Sequence, residues 1–111
     1  MIHIISDRVS PQQLRDMLEA LQTYIKLAVD VRRHVVAGGG EMHADCEAAL
    51  LEAGSDQKDI WGGDWFPDSR TVRFQSLINI RPKRGNRSLE IADPALRSAL
   101  EQIIRERLER S

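Results

Sequence analysis

The chain has 111 residues, of which 41% are hydrophobic and 30% charged, and its formal net charge is −1. These values predict one soluble domain spanning residues 1–111, and so small a charge gives no general affinity for nucleic acids or anionic membranes. The single cysteine, Cys46, excludes an internal disulfide and favours a cytoplasmic location. The apolar stretch at residues 1–5 is too short for a signal peptide or a membrane span.

The first quarter of the chain predicts a short strand followed by a helix. The strand is expected at the apolar residues 2–5. Ser10, Pro11 and Gln13 then have the spacing of an N-cap, a first helical residue and a capping box. Apolar residues recur at helical spacing after them, which predicts a helix that ends near residues 24–26.

Residues 28–51 alternate between polar and apolar side chains, which predicts a β-hairpin that turns at Gly38 and Gly39. The polar side chains of both arms then share one face, while Cys46 lies on the apolar face as a buried, inert thiol. This register predicts three cross-strand pairs: His34 with His43, Arg32 with Asp45, and Asp30 with Glu47.

The second half predicts a loop, a strand and a helix. Residues 53–68 contain glycine and proline, which favour an irregular loop, and they also hold three of the five aromatic residues. Residues 70–81 alternate again and predict a third strand. Asp93 and Pro94 have the sequence of a helix start, and an apolar stripe follows at helical spacing.

These elements predict an α+β fold. An antiparallel sheet of three to four strands would have two helices packed on one face. The other face would carry the charged hairpin residues and meet water, a ligand or a partner.

Two kinds of chemistry fit the polar hairpin face. His34, His43 and Asp45 offer nitrogen and oxygen ligands for zinc or a similar divalent ion. Alternatively, His43 is a general base oriented by Asp45 or Glu47, and it would activate water because no serine or cysteine lies beside it. A salt-bridged, purely structural face explains the same residues.

A basic segment that begins at the end of the third strand suggests anion binding. Residues 81–88 carry four positive charges and no acid, and arginine forks suit phosphates. The candidate anion-binding residues are Asn79, Arg81, Arg87 and Ser88. A solvated loop is the alternative, and the lack of a helix-turn-helix pattern argues against sequence-specific DNA binding.

The aromatic residues of the predicted loop form a candidate interface. Aromatic side chains dominate the energetics of protein interfaces, so these residues could anchor a second subunit or a protein partner. Covering an edge of the core is the alternative. The candidate interface residues are Trp61, Trp65 and Phe66.

Five segments together resemble a small bacterial family, frequent in cyanobacteria, whose function is unassigned. The matching segments are 39–45 (GGEMHAD), 50–55 (LLEAGS), 61–62 (WG), 76–82 (SLINIRP) and 86–88 (NRS). The chain departs from the family pattern at Ala53, where an acidic residue is expected. The resemblance implies a free-standing bacterial protein of about this length, and it implies no reaction.

The sequence therefore favours a cytoplasmic accessory or protein-interaction domain that is not an enzyme, needs no cofactor and forms a homodimer or binds a protein partner. The alternative is a small metal-assisted hydrolase or nuclease. It would act on phosphate esters through His43 and Asp45, and only this alternative requires a divalent metal. A third interpretation is a binder of small ligands that uses the same polar face.

Overall fold

The computed structural model describes residues 1–109, in which five strands form one antiparallel sheet. The strand order is β1-β3-β2-β4-β5. The strands are β1 (His3–Ile5), β2 (Ile25–Asp30), β3 (Val35–Gly40), β4 (Ile60–Phe66) and β5 (Thr71–Arg73). The helices are α1 (Pro11–Leu18), α2 (His43–Glu52) and α3 (Pro94–Leu108), and short 3₁₀ turns occur at Gln57–Asp59, Leu77–Asn79 and Pro82–Arg84.

Helices cover both faces of the sheet. Ile25, Leu27 and Val29 of β2 pack with Met17 of α1 and Leu100 of α3 in the larger core cluster. Ala28 of β2 faces the other way and packs with Cys46 and Leu50 of α2 in a second cluster. Because successive strand residues point to opposite faces, the central strand β2 is buried on both sides.

The fold class is confirmed as α+β with an antiparallel sheet, but the predicted numbers and layers are wrong. Five strands and three helices are present in residues 1–109, where three to four strands and two helices were expected. The face predicted to meet water is covered by α2. The reason is that the second arm of the predicted hairpin is this helix and not a strand.

The sequence of α2 fits both the two-residue period of a strand and the 3.6-residue period of a helix, and it forms a helix. Cys46 and Leu50 are four residues apart and both face the sheet, while alanine and leucine, which favour helices, fill much of the rest. The hairpin turn lies earlier, at residues 31–34, where the Asp30 carboxylate accepts hydrogen bonds from the backbone N–H groups of Arg32 and Arg33. The predicted pairs of His34 with His43, Arg32 with Asp45, and Asp30 with Glu47 are therefore wrong.

The segment predicted as an aromatic loop contains β4, which pairs with the central strand. Trp61 lies opposite Val29, and Trp65 lies opposite Ile25. Gly62 lies between the tryptophans, and a Cβ atom there would be 2.5 Å from the Cβ of Ser76. Gly62, one of the glycines that suggest a loop, is thus required by the close packing of another segment against the strand.

Residues 74–80 are that segment, and Asn79 fixes their position. The predicted third strand ends at Arg73, after which Ser76 caps a 3₁₀ turn. The fully buried Asn79 accepts from the backbone N–H of Gly62 at 2.7 Å, and its amide nitrogen donates to the carbonyls of Gly62, Phe74 and Leu89. One side chain therefore holds three stretches of chain together.

The predicted helix starts are confirmed. Ser10 and Gln13 form the capping box of α1, and the Asp93 side chain accepts from the N–H of Ala95 at the start of α3. Helix α1 ends at Leu18, earlier than residues 24–26. In residues 1–109, no helix is long and apolar enough to cross a membrane.

Replacing Asn79 with alanine should destabilise the fold severely. The variant leaves the N–H of Gly62 and several carbonyls without partners, so the free energy of unfolding should fall by about 3 kcal/mol or more. Urea denaturation measures this loss. The exposed neighbour Gln75 provides the control, because Gln75→Ala should change stability by less than about 0.5 kcal/mol. Equal stability of the two variants would contradict this role of Asn79.

Candidate functional site

A row of charged side chains crosses three strands on the face that carries α2. Lys26 of β2 lies opposite Asp64 of β4, and Asp64 lies opposite Arg73 of β5. The Asp64 side chain is only 4% exposed, and its carboxylate lies 4.0 Å from Nε of Arg73. The row lies beside the start of α2, so the helix adds its first side chain to this cluster.

That first side chain is His43, which binds Asp64. Its Nε2 lies 2.8 Å from Oδ1 of Asp64 and 3.1 Å from the carbonyl oxygen of Gly63. Both neighbours are acceptors, so Nε2 carries the hydrogen. Nδ1 makes no hydrogen bond to any residue from 1 to 109, and it is left to accept a proton or a hydrogen bond from outside.

The position of His43 follows from a tight connection between β3 and α2. Gly40 ends the strand, and a Cβ there would lie 3.3 Å from the Cβ of Asp45 and 3.4 Å from Sγ of Cys46. The Lys26 ammonium group donates to the carbonyl of Glu41 at 3.0 Å, which ties the connection to β2. The helix start lies close to the sheet because of these contacts.

His43 borders a cavity of about 260 Å³. Lys26 and Gln75 supply further polar groups, and most of the remaining wall is apolar. Three apolar side chains of its lining are exposed to solvent. The cavity is lined by Lys26, Met42, His43, Ala44, Gln75, Ser76, Leu77, Ile78 and Leu89, of which Met42, Leu77 and Leu89 are exposed.

The carboxylate partner of His43 differs from the predicted one. Asp45 is exposed in the first turn of α2, and Glu47 binds Arg81. Asp64 takes their place, although it lies 21 residues away in the segment predicted as a loop. Trp61, Gly63 and Trp65 are spaced two residues apart, as on one face of a strand. This spacing was the one sequence signal for a strand, and a strand would point Asp64 to the face opposite the tryptophans.

The predicted metal ligands are not brought together. His34 lies in the turn before β3, whereas His43 and Asp45 lie beyond the other end of that strand. In the described part of the chain, no group of three or more His, Cys, Asp or Glu side chains could hold a metal ion.

Arg81, predicted to bind an anion, is occupied by the protein itself. Its guanidinium group donates to the carbonyls of Ile78 and Gln57 and to the Glu47 carboxylate, at 3.0, 2.6 and 3.0 Å. It also lies 5.0 Å over the ring of Trp61. Burial lowers the pKa of Arg81 from its ordinary value, and the charge of Glu47 opposes this shift.

The other predicted anion-binding residues are dispersed. Asn79 is fully buried and makes the hydrogen bonds that fix residues 74–80. Ser88 is exposed and donates to the carbonyl of Glu90, and Arg87 is exposed without an ion pair to residues 1–109. The structure therefore does not gather Asn79, Arg81, Arg87 and Ser88 into one site.

A larger cavity of about 730 Å³ lies next to Arg81, and we call it the Leu77–Arg84 groove. Leu77, 70% exposed, and Ile80, 42% exposed, are at its surface. Lys83 and Arg84 line it and make no ion pair with any residue from 1 to 109. The complete lining is Glu47, Asp56, Gln57, Lys58, Leu77, Ile78, Ile80, Arg81, Pro82, Lys83 and Arg84.

The aromatic residues proposed as an interface belong largely to the core. Trp61 and Trp65 are 4% and 2% exposed in the larger core cluster, so neither can anchor a partner in this conformation. Phe66 is half-buried and stacks on Tyr24 at 4.8 Å, with the Arg73 guanidinium 5.0 Å from its centroid. Cys46 is buried as predicted, and burial raises the pKa of its thiol.

Removing the side chain of Arg81 should destabilise the fold. In Arg81→Ala, the partly buried Glu47 loses its partner, and two carbonyls lose a donor. The free energy of unfolding should therefore fall by about 2 to 3 kcal/mol. Thermal and urea denaturation measure the change, with Arg87→Ala, expected within about 0.5 kcal/mol of the parent, as the control. If the two variants are equally stable, the internal contacts of Arg81 contribute nothing.

The hydrogen bonds of His43 predict its tautomer. At a pH where the ring is neutral, long-range ¹H–¹⁵N spectra should show Nε2 protonated and Nδ1 unprotonated. His34, an exposed histidine in the same chain, serves as the internal reference for a ring without this constraint. A protonated Nδ1 in the neutral ring would contradict the geometry of the site.

Comparison with known proteins identifies a family but no activity. No curated protein and no solved structure matches the chain. A family model described as protein of unknown function (DUF5674) matches residues 3–107. The match covers nearly the whole chain, and the chain therefore belongs to this family of unknown function.

Proposed function

We propose that this protein is a protein-interaction domain whose Leu77–Arg84 groove binds a partner segment rich in acidic and apolar residues. The observation that carries the proposal is the juxtaposition of exposed apolar side chains with cations that make no ion pair to residues 1–109. Leu77 and Ile80 are exposed where folding alone would favour their burial, and Lys83 and Arg84 lie beside them.

The charges of the groove favour an acidic partner. Arg81 and Glu47 form an ion pair within the wall and largely cancel each other. Lys58 and Asp56 lie 4.0 Å apart, with both side chains well exposed, so this pair is weak. The positive charges of Lys83 and Arg84 therefore dominate the open side, where opposite charge on a partner would guide and orient binding.

The apolar part of the groove favours a peptide over a nucleic acid. Leucine and isoleucine side chains gain free energy when an apolar partner excludes water from them. A nucleic-acid backbone offers phosphates to the cations but little aliphatic surface to Leu77 and Ile80. A peptide with alternating acidic and apolar side chains meets both needs.

Peptide binding measured by fluorescence anisotropy tests this proposal. The probe is a labelled ten-residue peptide of alternating glutamate and leucine, compared with peptides in which lysine replaces glutamate or serine replaces leucine. Only the first peptide should bind, and its affinity should fall as salt is raised. Equal binding of all three peptides, or of none, would overturn the proposal.

Variants of the groove locate the binding. Lys83→Glu/Arg84→Glu and Ile80→Ser should each weaken binding of the acidic peptide at least tenfold. The control is Arg15→Glu/Arg70→Glu, which makes the same change in net charge at exposed positions outside the groove. If the control weakens binding as much as the groove variant, the effect is one of net charge and the groove is not the site.

A second copy of this chain is another occupant that the same variants test. Sedimentation measurements on the parent and on Ile80→Ser report whether the groove joins two subunits. A dimer that dissociates in Ile80→Ser would assign the groove to self-association and overturn the acidic-peptide proposal.

A further inference from the structure

We propose that the 260 Å³ cavity beside His43 is a second, separate binding site, which takes a small organic anion with an apolar body and one carboxylate or phosphate head. The site combines three features that no single element supplies: a histidine nitrogen that makes no hydrogen bond to residues 1–109, an ammonium group and an apolar wall. The histidine comes from α2 and the ammonium group from β2, while the apolar wall comes from Met42, Ala44 and residues 77–89.

The head group of the ligand is placed by Lys26 and His43. Lys26 uses one of its three N–H donors on the carbonyl of Glu41, which leaves two for an anion. The bond from Nε2 of His43 to Asp64 fixes the ring, so that Nδ1 is the nitrogen available to a ligand. Nδ1 donates to an anion only in the doubly protonated ring; in the neutral ring it accepts a hydrogen bond from an acidic O–H of the head group.

The acids near this site do not prevent anion binding. Asp64 is shielded, because it is 4% exposed and lies between His43 and Arg73. Glu41 and Asp45 are exposed to water, which screens their charges.

The body of the ligand is placed by the apolar wall. Met42, Leu77 and Leu89 are exposed at the rim and Ile78 lies deeper, so a short aliphatic chain would cover surface that now faces water. The cavity of about 260 Å³ leaves room for a short aliphatic chain with a head group.

Titration of the ¹⁵N-labelled protein with hexanoate, hexyl phosphate and hexanol tests this site. Both anions should shift the amide signals of Ala44, Ser76 and Leu89 saturably, and the tighter of the two identifies the head group that fits. Hexanol has the same body and no charge, so it should bind at least tenfold more weakly. Absence of saturable shifts with either anion, or equal binding of hexanol, would overturn the proposal.

Two variants separate anion recognition from folding. His43→Gln retains an amide that can donate to Asp64 but has no counterpart of Nδ1, and Lys26→Met retains most of the side-chain volume without the charge. Each should weaken the tighter anion at least tenfold while the spectrum of the folded protein persists. Unchanged affinity in both variants would contradict the assigned roles.

Lys83→Met is the matched control, since this lysine lines the Leu77–Arg84 groove and not the smaller cavity. It should leave hexanoate binding unchanged and weaken the acidic peptide, whereas Lys26→Met should do the reverse. The two proposals therefore fail independently, and a loss of both activities in Lys83→Met would contradict the separation of the sites.

Discussion

The hydrogen bonds between Asn79 and Gly62 are the constraint on which both candidate sites depend. They hold residues 74–80 against β4 at a distance that only a glycine permits, because a Cβ on Gly62 would collide with Ser76. Leu77 and Ile78 follow Ser76 directly, and they form a wall shared by the cavity beside His43 and the Leu77–Arg84 groove. The buried side chain of Asn79 thus positions Leu77 and Ile78 as an apolar ridge on the surface of the protein.

The Arg81–Glu47 ion pair and the His43–Asp64 hydrogen bond, both near this ridge, differ in what they leave for other molecules. The guanidinium group of Arg81 binds Glu47 and two backbone carbonyls, so its charge has a structural role. The pair of His43 with Asp64 uses one ring nitrogen and leaves the other available. An arginine that donates from each of its three nitrogens to the protein is a structural group, whereas a histidine oriented by one carboxylate can still exchange a proton or bind a ligand.

Local patterns in the sequence predict what depends on neighbouring residues. The capping box at Ser10 and the cap at Asp93 were predicted correctly, because each involves contacts within a few residues. The residues after Gly40 fit both a strand and a helix, and packing of Cys46 and Leu50 on the sheet decides between them. The contact between Asp64 and His43 could not be predicted either, because it depends on the order of the strands in the sheet. Local patterns in the sequence do not show that order.

The edges of the sheet carry a further consequence for how copies of this protein meet. Both outer strands, β1 and β5, are only three residues long, while the longer strands are enclosed between neighbours. Short edges offer few unpaired backbone groups and therefore resist the addition of another strand. The fold thus discourages fibre-like growth through its backbone and leaves recognition to side chains.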